Sequence, residues 1–130
     1  MTRSRLKNYP YWVFDLDNTL YPAGTNLFDQ IDKRMCGFIA DYLEVDHAEA
    51  YRVQKGYFRE YGTTLKGLMD CHGMEPGPYL EYVHRVDLEP LKRDSRMDKA
   101  LHQLPGQKFV FTNAPLDYAQ RVQDKIGISS

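Results

Sequence analysis

The most constraining feature of this chain is the segment Tyr11-Trp12-Val13-Phe14-Asp15-Leu16-Asp17, a short apolar run that stops at two carboxylates. The run is aromatic and β-branched, and it is continuous rather than alternating. That pattern predicts a strand buried on both faces of a parallel sheet. The carboxylates then fall at the strand's carboxyl end, where open α/β folds bind their ligands. Asp15 and Asp17 alternate with Leu16, so in an extended segment both side chains can point the same way.

A second run, Lys108-Phe109-Val110-Phe111, has the same character and ends in Thr112-Asn113. Pro115 suits the first turn of a following helix, with Leu116, Ala119, Val122 and Ile126 as its buried face. Between the two strands the periodicity is helical. Phe28, Ile31, Met35, Phe38, Ile39 and Tyr42 recur at three- and four-residue steps. Asp46 and Glu49 have capping-box spacing before a helix that runs to Tyr61 and stops at Gly62. Thr63 or Thr64 opens a shorter helix closed by Gly73. Pro76, Gly77 and Pro78 are read as a break, with one more short helix over Tyr79 to Arg85. Ser95 and Asp98 resemble another capping box, before a stripe of Met97, Leu101 and Leu104 that Pro105-Gly106 ends. The expected class is α/β, with a helical insert of about seventy residues between two strands of one sheet, placed to act as a lid over the strand ends.

Composition fits this reading and excludes others. The chain has 130 residues, 42% hydrophobic and 27% charged, the balance of one soluble globular unit. A formal net charge of −1 leaves no bulk electrostatic footprint for a nucleic acid polymer. The apolar run after Arg3, Arg5 and Lys7 is too short for a secretory leader or a membrane span, so a cytoplasmic location is expected. Cys36 and Cys71 lack metal-ligand spacing and read as reduced thiols. His47, His72, His84 and His102 show no ligand spacing either.

Two carboxylates at this spacing suit a hard cation such as magnesium, or a division into nucleophile and general acid/base. Asp-x-Asp-x-Thr also opens a calcium loop, but that loop needs Gly where Leu20 stands and Glu where Asn26 stands. Two solvated turn aspartates are the remaining plain alternative. Thr112, with the first amides of the helix near Pro115, makes a natural phosphate cradle, although Thr-Asn before a helix is also ordinary capping. The tyrosine-rich insert (Tyr42, Tyr51, Tyr57, Tyr61, Tyr79, Tyr82) reads mainly as helix packing, with one or two rings available to stack on a base. Lys66 and Arg59 are surface candidates for a phosphate or ribose.

Phe14-Asp15-Leu16-Asp17-Asn18-Thr19-Leu20-Tyr21 resembles the first motif of the haloacid dehalogenase superfamily, and Phe111-Thr112-Asn113-Ala114 resembles its second. With Glu60-Tyr61-Gly62 and Lys66-Gly67-Leu68, the chain looks most like the pyrimidine 5′-nucleotidase branch. The resemblance implies a partial Rossmann-like core from residues 1–26 and 94–130, with an all-helical cap over residues 27–93. It implies Asp15 as nucleophile and magnesium ligand, and Asp17 as general acid/base whose backbone carbonyl also meets the metal. Thr112 would bind the transferring phosphoryl group, and Asn113 would fix the nucleophile or substrate. Asp rather than Tyr at position 17 favours phosphoryl transfer over carbon–halogen cleavage. The implied substrate is a small phosphoester, a nucleoside monophosphate above all, with a phosphomutase as the alternative within the superfamily.

The superfamily's third motif, a lysine, and its fourth, an acidic pair, have no counterpart in these residues. Lys125 precedes their place and is not assigned the lysine's role. The first strand would then show an unpaired apolar edge, and the site would lack charges that ordinarily dominate transition-state stabilisation. If these 130 residues are the complete polypeptide, the expectation is a chain of marginal stability and weak turnover, an impaired fragment of such a hydrolase. Nucleotide hydrolysis by the purified chain at ordinary enzyme rates, lost in Asp15→Asn, would contradict it.

Overall fold

The computed structural model describes residues 8–128. They form two strands, six α-helices and one 3-10 turn: β1 (Tyr11–Asp15), the turn Ala23–Thr25, α1 (Leu27–Leu43), α2 (His47–Tyr61), α3 (Thr64–His72), α4 (Pro76–Val83), α5 (Ser95–Gln103), β2 (Gln107–Phe111) and α6 (Leu116–Ile126). The chain is α/β and mostly helical, with β1 and β2 paired in a two-stranded parallel sheet. It divides into two compact units, Leu27–Asp87 and the flanking segments Met1–Asn26 with Leu88–Ser130.

In the helical unit, three of the four helix starts have a local cause. Asp46 caps α2 by accepting from the Glu49 amide at 2.8 Å, and Thr63 caps α3 by accepting from Lys66 at 3.1 Å. Pro76-Gly77-Pro78 does not break the chain as expected. These residues are the first turn of α4, where a proline forfeits no intrahelical bond. Leu27, Ile31, Ile39, Ala50, Leu68, Tyr79 and Val83 are buried between the helices. Arg34 donates to the Tyr82 carbonyl at 2.7 Å and lies over its ring at 4.2 Å. Gln30 exchanges two hydrogen bonds with the Asp87 backbone, at 2.8 and 2.7 Å, tying the end of this unit to α1.

The following segment belongs to the sheet unit, so the division falls at Asp87/Leu88 and not at residue 94. Leu91 is fully buried, and the Asp94 amide donates to the Ile126 carbonyl at 2.8 Å. Asp94, not Ser95, is the residue that caps α5, accepting from the Met97 amide at 3.0 Å. The sheet unit's core holds Leu16, Leu20, Tyr21, Leu101, Tyr118, Ala119, Val122 and Ile126.

The strands are not buried on both faces. Trp12, Phe14, Lys108 and Val110 are half-buried, whereas Tyr11, Val13, Phe109 and Phe111 project from the other face into solvent, Val13 at 67% and Phe111 at 69% exposure. Continuous apolar sequence reports what a strand can bury, not how many layers cover it. Leu116, expected on the buried face of α6, is 83% exposed because it begins the helix; Tyr118 takes its place in the core.

Register is set at the entry to β2. Gln107 donates to the Pro10 carbonyl at 2.9 Å, and Trp12 Nε1 donates to the Pro105 carbonyl at 2.9 Å. Between them Gly106 has φ +97°, and a Cβ there would lie 2.5 Å from the Pro10 carbonyl oxygen. Gly106 is thus required twice, for its backbone conformation and for the close approach. Gly106→Ala is expected to destabilise the chain by about 2–4 kcal/mol, from overlap plus backbone strain. Gly24→Ala, with no atom within 4 Å, should stay within about 0.5 kcal/mol of the parent. Urea unfolding midpoints check the pair, and equal midpoints would refute this account of the register.

Candidate active site

The register pairs Asp15 with Phe111. The two polar ends, Asp15-Leu16-Asp17 and Thr112-Asn113, therefore leave neighbouring strands at the same edge of the sheet, about 5 Å apart as strands are spaced. A tight turn follows β1. Leu20 and Thr19 both donate to the Leu16 carbonyl, at 3.0 and 3.3 Å, and Asn18 adopts φ +58°. An asparagine tolerates that left-handed conformation better than most residues. Leu16 and Leu20 anchor the turn in the core, leaving Asp15 exposed and Asp17 half-buried.

The turn also brings hydroxyls back onto the carboxylates. Thr19 Oγ1 donates to Asp15 Oδ2 at 2.9 Å, and Tyr21 Oη donates to Asp17 Oδ1 at 2.6 Å, each across four residues. A third hydroxyl arrives from α6, where Tyr118 Oη donates to the same Asp17 Oδ1 at 2.9 Å. Each carboxylate thus has one oxygen engaged and, among the described residues, one that receives no hydrogen bond. That leaves one oxygen per carboxylate for a metal, an electrophile or a proton.

Thr112 and Asn113 differ in readiness. Thr112 Oγ1 accepts from the Ala114 amide at 3.1 Å, which fixes the hydroxyl and leaves its hydrogen free to donate. Asn113 is exposed and makes no side-chain hydrogen bond among the described residues. Pro115 stands at the N-cap of α6 and offers no side-chain acceptor to the first-turn amides. Lys125 lies 3.8 Å from Glu89, and in the helical unit Lys66 pairs with Asp70 at 2.7 Å.

No group of three or more His, Cys, Asp or Glu side chains capable of holding a metal occurs among the described residues. The unengaged Asp15 oxygen still suits magnesium, which is commonly held by one or two carboxylates together with waters and substrate phosphate. Cys36 and Cys71 are free thiols. No described helix is long and apolar enough to cross a membrane.

No protein-family model matches the chain. A curated relative does: Phosphate metabolism protein 8 of Saccharomyces cerevisiae, 29% identical over 130 residues. The chain resembles a phosphate-metabolism protein. The match covers 91% of this chain but only 40% of the relative, so the chain spans about two fifths of that protein's length.

Sequence reasoning missed Tyr118 and left Tyr21 without a role. Tyr21 was findable, since it stands four residues beyond Asp17 across an expected turn. Tyr118 lies 101 residues away, and only the docking of α6 brings it to Asp17. Burial raises the pKa of both phenols above the ordinary value, and the Asp17 carboxylate adds to the effect; at Tyr118 the interaction with Tyr21 opposes it. Both therefore keep their protons to higher pH when folded than when unfolded. The stability this represents is complete below about pH 10 and is lost as pH rises above it. In an alkaline titration followed by tyrosinate absorbance, Tyr21 and Tyr118 should ionise only as the chain unfolds. Tyr118→Phe should remove amplitude from that late phase alone; loss from the early phase would contradict the arrangement.

Proposed function

We propose that the protein is a magnesium-dependent phosphatase acting through a phosphoaspartate on Asp15, with nucleoside 5′-monophosphates as the preferred substrates. The observation that carries this reading is the pair of strand-end carboxylates, each with one oxygen held by a hydroxyl and one left available. Thr112 on the adjacent strand supplies a fixed hydroxyl for a phosphoryl oxygen. The yeast relative, by its name a phosphate-metabolism protein, agrees in general subject. The nucleotide substrate rests on the sequence resemblance to the pyrimidine 5′-nucleotidase branch.

In the first step, an Asp15 carboxylate oxygen attacks phosphorus and the bond from phosphorus to the ester oxygen breaks. Asp17 gives its proton to the departing alkoxide, so the leaving group departs as a neutral alcohol. Water then attacks the aspartyl-phosphate, passing a proton to Asp17, and inorganic phosphate leaves with Asp15 restored. Thr112 and the first amides of α6 would orient the phosphoryl oxygens. Magnesium, which an Asp15 carboxylate oxygen and the Asp17 backbone carbonyl would hold, would neutralise phosphoryl charge.

The test measures inorganic phosphate released from nucleoside 5′-monophosphates by the purified chain, with magnesium and after chelation. Release, slow in this chain, is expected to require magnesium and to fall to the uncatalysed background in Asp15→Asn. With added methanol, a shared phosphoenzyme predicts one ratio of methyl phosphate to phosphate for every substrate. Ratios that vary with the leaving group would contradict the covalent intermediate. Binding of phosphate or magnesium without turnover would contradict the enzyme reading, and transfer between sugar phosphates with little free phosphate would indicate a mutase.

A further inference from the structure

From the Asp17 hydrogen bonds we infer that Tyr21 and Tyr118 are positioning residues that fix the Asp17 carboxylate and reserve its Oδ2 for proton exchange with the leaving group. The inference rests on the phosphatase reading of the site, and it assigns work to two residues outside the sequence motifs' acid, base and phosphate roles. Both phenols donate to the same oxygen, Oδ1, at 2.6 and 2.9 Å, while Oδ2 receives no hydrogen bond from any described residue.

Two donors on one carboxylate oxygen are an uneven arrangement. A carboxylate held only for stability would gain as much from donors shared between its oxygens, since each has two lone pairs. Placing both on Oδ1 fills that oxygen's acceptor sites and leaves the proton one place to reside. The donors are also rigid. Tyr21 is 3% and Tyr118 1% exposed, and a phenol has only two side-chain torsions, both held here by packing. They come from different elements, Tyr21 from the turn after β1 and Tyr118 from the first turn of α6, so they fix the plane of the carboxylate as well as its position. An acid that must meet a leaving oxygen within hydrogen-bond reach benefits from such constraint, because small misplacements are costly in rate.

Removing a hydroxyl while keeping its ring separates this role from packing. The measurements are kcat/KM for a nucleoside 5′-monophosphate, whose alkoxide needs a proton, and for p-nitrophenyl phosphate, whose phenolate leaves without one. Asp17→Asn serves as the reference. The expected result for Tyr118→Phe, Tyr21→Phe and the double variant is a 10- to 100-fold loss (roughly the range of general acid–base effects) with the nucleotide and less than about threefold with p-nitrophenyl phosphate. Unfolding midpoints establish that each variant is folded under assay conditions. Equal losses on both substrates, or no loss on either, would overturn the positioning role while Asp17→Asn still discriminates between them. If Asp17→Asn itself fails to discriminate, Asp17 is not the acid, and the reading beneath the inference falls instead.

Discussion

The Gln107 amide donates to the Pro10 carbonyl, and the parallel register of the sheet unit follows from that bond. Gly106 permits it by taking a positive φ at a point where a Cβ would strike the Pro10 carbonyl. With the register set, Asp15 stands opposite Phe111, and the ends of both strands carry their polar residues out together. The turn after β1 and the start of α6 then face a common edge. Without this pairing, Asp15-Leu16-Asp17 and Thr112 would be unrelated polar segments nearly a hundred residues apart.

On that frame the chemistry is arranged by hydroxyl groups. Thr19 holds one oxygen of Asp15, two tyrosines hold one oxygen of Asp17, and Thr112 is itself held by the Ala114 amide. Hydrogen bonds to a charged acceptor are stronger than those between neutral groups, so they offset much of the cost of half-burying Asp17. They also leave each carboxylate, among the described residues, with one engaged and one unengaged oxygen. The neighbouring face of the same unit is apolar and open: Tyr11, Val13, Phe109 and Phe111 alternate along the two strands toward solvent.

Local chemistry was legible from the sequence wherever it is decided within a few residues. The two short strands, the Asp46 cap, the opening of α3 and the carboxylates at the end of β1 all follow from runs and spacings. What depends on layers or docking did not follow. The apolar strands read as buried on both faces, yet one face is open, because a run of Val and Phe carries no record of what covers it. Pro76 and Pro78 read as breakers, although their missing amides cost nothing in a first helical turn. Ser95 read as the cap of α5, and the side-chain geometry gives that place to Asp94. Tyr118 escaped notice because a tyrosine beside an apolar stripe gives no sign of which distant carboxylate its hydroxyl reaches.

The central claim is that Asp15 takes the phosphoryl group while Asp17 handles the proton. Direct detection of the covalent adduct is its closest test. The chain is mixed with magnesium and a nucleoside 5′-monophosphate, quenched during turnover, and treated with borohydride, which reduces an acyl phosphate to an alcohol. Peptide mass spectrometry should then find homoserine at position 15 and unchanged aspartate at position 17. Turnover with no reduction product, or reduction at position 17 instead, would contradict the account.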